Sequence, residues 1–297
     1  MTDPNHHPVV LGDGSDAFQP TLLAADLREV AALYSGLRSY VDTTDWDAPT
    51  PASDWTMAQT VAHLDVMTAT GLAAADDALH GRVPVFEGIE QRRGLTAWND
   101  RTIERRLAID DDPLASLLRG LHRSADTIET LDPDQLTAPV VLPIYNAPLT
   151  IVELWGIQTF HPGLTHATQV TDGVDASPLW TGLSPGARHR MITRLTRALG
   201  YLYWPQRGGP GGVSVGITID GDDGGSWHVT GGPDGAEGGE GEPDHPDLSL
   251  RFRNMESACL MFTARLPLVR SLVRRDMRVK GNVLILRRFG ELFSSDG

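Results

Sequence analysis

One histidine, His63, stands where its side chain could bind a metal ion. It lies in residues 55–64, where Thr56 and Gln59 have the spacing of a helix capping box. Apolar residues then recur at helical spacing, at Met57, Val61, Leu64 and Met67. His63 therefore lies beside the face that packs inward, where an imidazole needs a buried hydrogen-bond partner or a metal. A second histidine-bearing helix near residue 161 makes the metal worth considering.

The composition limits the kind of protein that could position such histidines. A chain of 297 residues favours two domains, and 40% hydrophobic residues are enough for a sizeable core. Because no apolar run reaches about eighteen residues, no membrane span is expected. Residues 1–20 contain no Lys or Arg and no apolar core of signal-peptide length, so we expect a cytoplasmic protein.

The charge and the cysteine content exclude several partners and chemistries. A net charge of −14 argues against nucleic acid as the principal partner. The single cysteine, Cys259, excludes a disulfide framework and a multi-cysteine zinc site, and its apolar neighbours predict a buried thiol. Residues 251–297 hold ten Lys or Arg against four Asp or Glu. This basic end could bind an anionic ligand or form a solvated face.

Regions of different character follow one another along the chain. A disordered tail is predicted at residues 1–19. Residues 20–175 are predicted to form a four-helix bundle with a long crossover, because long amphipathic stretches are joined by one extended connection. Residues 180–297 mix strand and helix patterns and are predicted to form an α+β domain. Within this domain, residues 231–247 are rich in Gly, Glu, Asp and Pro and predict a mobile acidic loop.

Both regions resemble known families. The sequence WTMAQTVAHL at residues 55–64, after a long amphipathic helix, is similar to the second helix of DinB-type metal-binding bundles. The resemblance is closest to the mycothiol-dependent maleylpyruvate isomerase group. The sequence MRVKGNVLILRRFGELF at residues 277–293 resembles a sterol-carrier-protein-like domain. That group joins the same modules in the same order, so the resemblance implies an α+β protein of two domains.

The resemblance also implies a divalent metal, commonly zinc, bound between helices. One ligand would be His63, and the others a Glu-x-x-x-His pair on the fourth helix, since positions four apart share a helical face. In its open position the metal would bind the sulfur of mycothiol and lower its pKa for attack on an electrophile. His161 matches the histidine of that pair, but Ile157 stands at the carboxylate position. Glu153 lies about 12 Å from His161 along a helix, too far to replace it.

The third metal ligand has two candidates. Gln158 is three residues before His161 and could supply an amide oxygen. His166 is five residues after His161, and a kink or π-bulge at Pro162 and Gly163 could bring its ring around.

Two functions of different classes fit these observations. The first is a mycothiol-dependent, metal-assisted isomerase or transferase acting on a small electrophile. In it, Arg251 and Arg253, which alternate along a strand, would bind the thiol cofactor or an acidic substrate. The second is a non-catalytic protein that holds a small apolar or lipid-like ligand after losing its metal. Convergence of His63 with His161 or His166 to within about 4 Å would favour the first.

Overall fold

The computed structural model describes residues 15–40, 45–52, 54–89, 94–109, 112–174, 177–209, 211–263 and 267–293. The helices are α1 (Pro20–Ser35), α2 (Leu37–Tyr40), α3 (Met57–Leu79), α4 (Leu95–Ile109), α5 (Pro113–Thr130), α6 (Pro133–Leu136), α7 (Ile151–Phe160), α8 (Pro185–Leu202), α9 (Pro205–Gly208), α10 (Met255–Phe262), α11 (Leu268–Arg274) and α12 (Val283–Leu292). The strands are β1 (Pro139–Val140), β2 (Leu149–Thr150), β3 (Val213–Ile219), β4 (Gly225–Gly232), β5 (Gly235–Glu240), β6 (Leu248–Phe252) and β7 (Met277–Gly281). A helical N-terminal region followed by a sheet with helices confirms the predicted α+β class.

Four helices, α1, α3, α5 and α7, form the N-terminal bundle. Helix α5 packs against α1 and α3, and α7 packs against the same two helices. Their apolar stripes are buried together because each helix has one face that must leave water. Leu27, Leu64 and Leu121 are among the side chains buried at this centre. Helix α4 lies outside the bundle against α3, and the short β1–β2 hairpin occupies the connection between α5 and α7.

The C-terminal half is built on a five-stranded sheet in the order β5-β4-β3-β6-β7. Strands β3 and β6 are parallel, and the other neighbouring pairs are antiparallel. Helix α8 packs on β4 and β5 with one side and on α7 with another, so it joins the sheet to the bundle. The buried indole of Trp227 donates to Thr193 Oγ1 of α8 at 2.8 Å.

The predicted mobile acidic loop at residues 231–247 is wrong for its central part, which forms β5. This strand pairs with β4 from Gly232 opposite Gly235 to Trp227 opposite Glu240. Strand pairing uses backbone groups, so a segment without apolar side chains can still join a sheet edge. Glycine also permits close packing here, because a Cβ at Gly238 would lie 2.0 Å from the Thr196 carbonyl oxygen of α8.

The predicted tail falls mostly on residues 1–14, which lie outside the described residues. Within residues 15–19, Asp16–Phe18 form a helical turn, and Phe18 is buried against the bundle. The domain boundaries at 175 and 180, and the sterol-carrier likeness of the second half, stay predictions. Of the helices that the structure describes, none is long and apolar enough to cross a membrane.

The buried thiol of Cys259 is expected to resist alkylation in the folded protein. Cys259 lies within α10, and burial raises the pKa of its thiol to about 12. A raised pKa leaves little of the reactive thiolate at neutral pH. Iodoacetamide at about pH 8, followed by intact-mass spectrometry, should modify only the denatured protein. Rapid modification under native conditions would contradict the buried position.

Candidate metal centre

Helix α3 places His63 at the start of the bundle. The predicted capping box is present, with Gln59 N–H donating to Thr56 Oγ1 at 3.2 Å and Thr56 N–H donating to Gln59 Oε1 at 2.9 Å. This cap fixes the first turn, and His63 follows one turn later with its side chain buried. Trp55 precedes the cap and turns back over the histidine, with ring centroids 4.8 Å apart.

Helix α7 supplies the second part of the centre, and it begins with a capping box of its own. Thr150 N–H donates to Glu153 Oε2 at 2.8 Å, and Glu153 N–H donates to Thr150 Oγ1. The other oxygen of Glu153 accepts from Arg197 Nε at 2.9 Å and from the Tyr201 hydroxyl at 2.5 Å. Glu153 is therefore committed to the start of α7 and to its contact with α8, as its distance from His161 predicted.

A wide helical turn brings the last histidine into the centre. Residues His161–Thr165 form a π-helical turn, in which His166 N–H donates to the His161 carbonyl oxygen five residues back. In a regular α-helix, residues five apart would lie about 140° apart around the axis. The Tyr34 hydroxyl of α1 donates to the Pro162 carbonyl oxygen at 2.9 Å and supports this turn. Of the two alternatives considered at Pro162 and Gly163, a kink or a π-bulge, the structure has the π-helical turn.

Gly163 lets the wide turn pack closely against two helices. A Cβ at this position would lie 3.0 Å from atoms of both Val30 in α1 and Met191 in α8. A larger residue would therefore push the turn away from the bundle. The chain thus combines a residue without a side chain and a buried tyrosine to hold a backbone geometry that is rare in helices.

Three imidazole rings converge at this place. His161 Nε2 and His166 Nε2 lie 3.2 Å apart, and the centroid of His63 lies 5.2 Å from the centroids of both other rings. One ligand nitrogen from each ring lies within 4.8 Å of the others. Tetrahedral zinc with bonds of about 2.1 Å needs separations of about 3.4 Å, so a shift of roughly 1 Å closes the set. Among the described residues, no carboxylate or thiol belongs to this group.

The electrostatics of the cluster favour neutral rings. Burial lowers the pKa of His161 to about 4. Burial, and then repulsion from His161, lower the pKa values of His63 and His166 well below the ordinary value. Neutral imidazole is the form that binds metals, because the free nitrogen lone pair is the donor. His161 is partly exposed, whereas His63 and His166 are buried.

Two buried imidazole nitrogens without a hydrogen-bond partner are compatible with a metal ligand set. The Nδ1 atoms of His63 and His166 are buried and have no hydrogen-bond partner. Buried polar groups without a hydrogen-bond partner are costly. Three buried imidazole rings with unpaired nitrogens are expected where a metal would bind those rings. Gln169 lies beside His166 and offsets a small part of its pKa depression.

The structure separates the two candidates for a third ligand. His166 joins the cluster, whereas Gln158 Nε2 donates to the Met67 carbonyl oxygen at 3.0 Å. Ile157, at the carboxylate position that the resemblance implies, packs against the apolar core. Trp55 and Gln169 beside the rings were not anticipated as neighbours of a site. Their positions in the sequence could have indicated this, because Trp55 directly precedes the helix cap and Gln169 follows His166 by three residues.

The predicted cofactor-binding arginines are not part of the cluster. Arg251 is exposed and pairs with Asp220, with Nη2 2.9 Å from Oδ1. Arg253 is also exposed and pairs with Asp276 at 3.0 Å. Each therefore has a carboxylate partner in its own half of the molecule. Binding of a cofactor by these two residues stays a prediction.

The fold and the cluster together define a two-part α+β protein with a three-histidine candidate metal centre in an N-terminal helical bundle. Residues 27–152 match the family model described as the mycothiol maleylpyruvate isomerase N-terminal domain. This part of the chain is therefore similar to that domain. The sequence search finds no match among curated proteins.

Solved structures support the same fold across both halves. The crystal structure of the mycothiol-dependent maleylpyruvate isomerase is 14% identical, with a TM-score of 0.54, and the match covers 83% of this chain and 90% of that one. A histidine-to-alanine mutant of the mycothiol-dependent maleylpyruvate isomerase is 11% identical, with a TM-score of 0.53 and coverage of 82% and 88%. At these identities the likeness establishes the fold.

Proposed function

We propose that this chain is a metal-assisted, mycothiol-dependent isomerase or transferase of a small electrophile. His63, His161 and His166 would hold the metal, and zinc suits a set of three nitrogen donors. The observation that carries the proposal is the convergence of three neutral imidazoles in a buried cluster. The choice of thiol rests on the family domain and on the printed names of the structural relatives.

The residues of the chain bind, orient and shield the reacting groups. When bound, a divalent metal supplies a Lewis acid that lowers the pKa of a thiol, and the thiol supplies a nucleophile. Three histidine ligands leave a fourth position free. Trp55 covers the ring of His63 and restricts water on that side. The partly exposed edge at His161 is the side from which a thiol and an electrophile could approach.

We expect the zinc-loaded protein to convert maleylpyruvate to its trans isomer only when mycothiol is present. The ultraviolet absorbance of the substrate would follow the reaction. The His63→Ala variant should lose at least about 100-fold in activity. This effect is larger than that of removing a residue hydrogen-bonded to a metal ligand. His122→Ala is the matched control, because this histidine is exposed on α5.

Three outcomes would count against parts of this proposal. Equal isomerisation without thiol, or by His63→Ala, would contradict a thiol- and metal-dependent site. Thiol consumption with a halogenated electrophile, without isomerisation of maleylpyruvate, would favour the transferase and contradict the isomerase. Non-catalytic binding would be favoured if neither reaction occurred in a protein that binds zinc stoichiometrically.

A further inference from the structure

Helix α11 exposes its apolar side chains to solvent, and the residue that it buries is polar. Val269 and Val273 are 73% and 78% exposed, and Leu268 and Leu272 are 36% and 41% exposed. Of the residues of α11, Ser271 is the buried one. Surface helices normally turn their apolar residues toward the core. Since α11 does the reverse, its apolar side chains contribute little to the packing of the fold.

The exposed apolar side chains of α11 lie together on one side of the helix. We call this side the apolar stripe, and its residues are Leu268, Val269, Leu272 and Val273. At about 100° per residue the stripe spans about 140° of the helix surface, and its centre lies about 130° from Ser271. Arg270 and Arg274 come next around the helix, so cations border the apolar stripe on that side.

Polar contacts hold α11 on the sheet. The N–H of Asp276, directly after the helix, donates to the Ser271 carbonyl oxygen at 2.9 Å, and the Arg253 N–H donates to the Asp276 carbonyl oxygen at 2.9 Å. The buried Asp276 carboxylate lies 3.0 Å from Arg253 Nη2 and 3.2 Å from Arg274 Nε. The position of α11 therefore does not depend on its apolar stripe.

Further cations lie around the apolar stripe. Arg278 and Lys280 are exposed on β7, the edge strand that α11 contacts. In the part of the chain that the structure describes, Arg270, Arg275, Arg278 and Lys280 have no ion-pair partner. The whole chain carries −14, but exposed charges farther apart than a Debye length of about 8 Å are largely screened. A surface that approaches α11 therefore meets a local positive charge.

An anionic lipid bilayer matches this combination of side chains. Apolar side chains of an interfacial helix enter the boundary between headgroups and acyl chains, while the bordering cations meet the lipid phosphates. A second copy of the chain is the alternative partner. A two-fold contact through this face would place Arg270 and Arg274 opposite the same cations of the other copy. Charge complementarity therefore favours the lipid surface.

We propose that α11 is a membrane-binding surface, with the apolar stripe inserted at the headgroup level of an anionic bilayer and the neighbouring arginines on its phosphates. The contact is peripheral and reversible, because a single short helix inserts only a few side chains. This inference is independent of the candidate metal centre, and it adds a lipid surface to the partners of the chain.

Co-sedimentation of the full-length protein with vesicles tests this proposal. One set of vesicles contains equal amounts of phosphatidylglycerol and phosphatidylcholine, and the other contains phosphatidylcholine alone. At about 0.1 M salt we expect at least tenfold stronger partitioning to the anionic vesicles, because each cation near an anionic surface adds to the attraction. Raising the salt to about 1 M should weaken this binding, since the Debye length then falls to about 3 Å.

The variant Val269→Ser/Val273→Ser removes half of the apolar stripe. It should lower partitioning to the anionic vesicles by at least about tenfold, because two apolar side chains no longer enter the bilayer. Val85→Ser is the matched control, since this valine is 91% exposed in the loop between α3 and α4. Both variants change exposed side chains, and a thermal melt checks that each is folded.

The variant Arg270→Gln/Lys280→Gln removes two cations without touching the apolar stripe. It should also lower partitioning to the anionic vesicles by at least about tenfold. Arg105→Gln, an exposed arginine of α4, is its control and should bind as the unaltered protein does.

Several results would overturn the proposal. These are no binding to anionic vesicles, equal binding to both kinds of vesicle, or unchanged binding by Val269→Ser/Val273→Ser. Sedimentation velocity without lipid tests the alternative partner. A dimer that Val269→Ser/Val273→Ser dissociates would assign this face to contact between copies and would also overturn the membrane proposal.

Discussion

The His166→Ala variant is expected to bind zinc more weakly than the unaltered protein. The loss of affinity should exceed the roughly 10–100-fold loss that follows removal of a residue hydrogen-bonded to a metal ligand. The reason is geometric. His166 Nε2 lies 3.2 Å from His161 Nε2, and no carboxylate or thiol of the described residues joins the cluster to replace it. Plasma mass spectrometry of the untagged protein gives the metal content, and calorimetric titration gives the affinity.

The control for this experiment is His122→Ala, which removes an exposed histidine from α5 and should leave the zinc content unchanged. His63→Ala should lose zinc as His166→Ala does. Stoichiometric zinc of unaltered affinity in His166→Ala would exclude His166 as a ligand. A thermal melt of each metal-free variant would separate loss of a ligand from loss of the fold.

The second large effect is expected at the ion pair that joins α1 to α8. The Asp26 carboxylate is buried and contacts Arg194 Nη1 at 2.7 Å and Arg190 Nε at 2.9 Å. Burial lowers the pKa of Arg194 to about 10, although Asp26 acts in the opposite direction. In Asp26→Asn the buried guanidinium loses its counter-charge, so the free energy of unfolding should fall by about 3–5 kcal/mol. Urea denaturation followed by circular dichroism measures this change.

An exposed carboxylate provides the comparison. Asp126 of α5 also pairs with an arginine, Arg28, at 2.8 Å, but both side chains are open to solvent. Asp126→Asn should therefore leave the denaturation midpoint almost unchanged. If the two variants were equally stable, the contact between Asp26 and Arg194 would contribute no more than a surface pair.

Local signals in the sequence were sufficient to predict the helical bundle. Helix α3 begins after Thr56, as the capping box predicts, because capping residues and apolar periodicity act over a few neighbouring residues. The strands β3 and β6 lie in the region predicted to mix strand and helix patterns, and their side chains alternate between two environments. In each case the information lies within the element itself.

Features that depend on distant parts of the chain were not predictable in this way. Strand β5 has almost no apolar side chain, and its pairing with β4 and its approach to α8 depend on backbone contacts. Arg251 and Arg253 alternate in the sequence as expected, but nothing near them indicated that Asp220 and Asp276 would be their partners.

The candidate metal centre lies between these cases. His63 and His161 were identified from a motif, and the π-helical turn was anticipated from Pro162 and Gly163. The choice between Gln158 and His166 depended on the three-dimensional structure. A residue five positions after His161 reaches the same side of the helix only when the turn is wide. Tyr34, which supports that turn from α1, is far away in the sequence.

The wide turn at His161–Thr165 also changes the charge that a bound ion would keep. It brings His166 into the cluster as the candidate third donor, while Ile157 stands at the position where the family resemblance implies a carboxylate. A ligand set with one carboxylate cancels one of the two positive charges of a divalent ion. Three neutral imidazoles cancel none, so the ion would attract an anion at its open position more strongly. Small anions such as azide or thiocyanate should accordingly be effective competitors for that position.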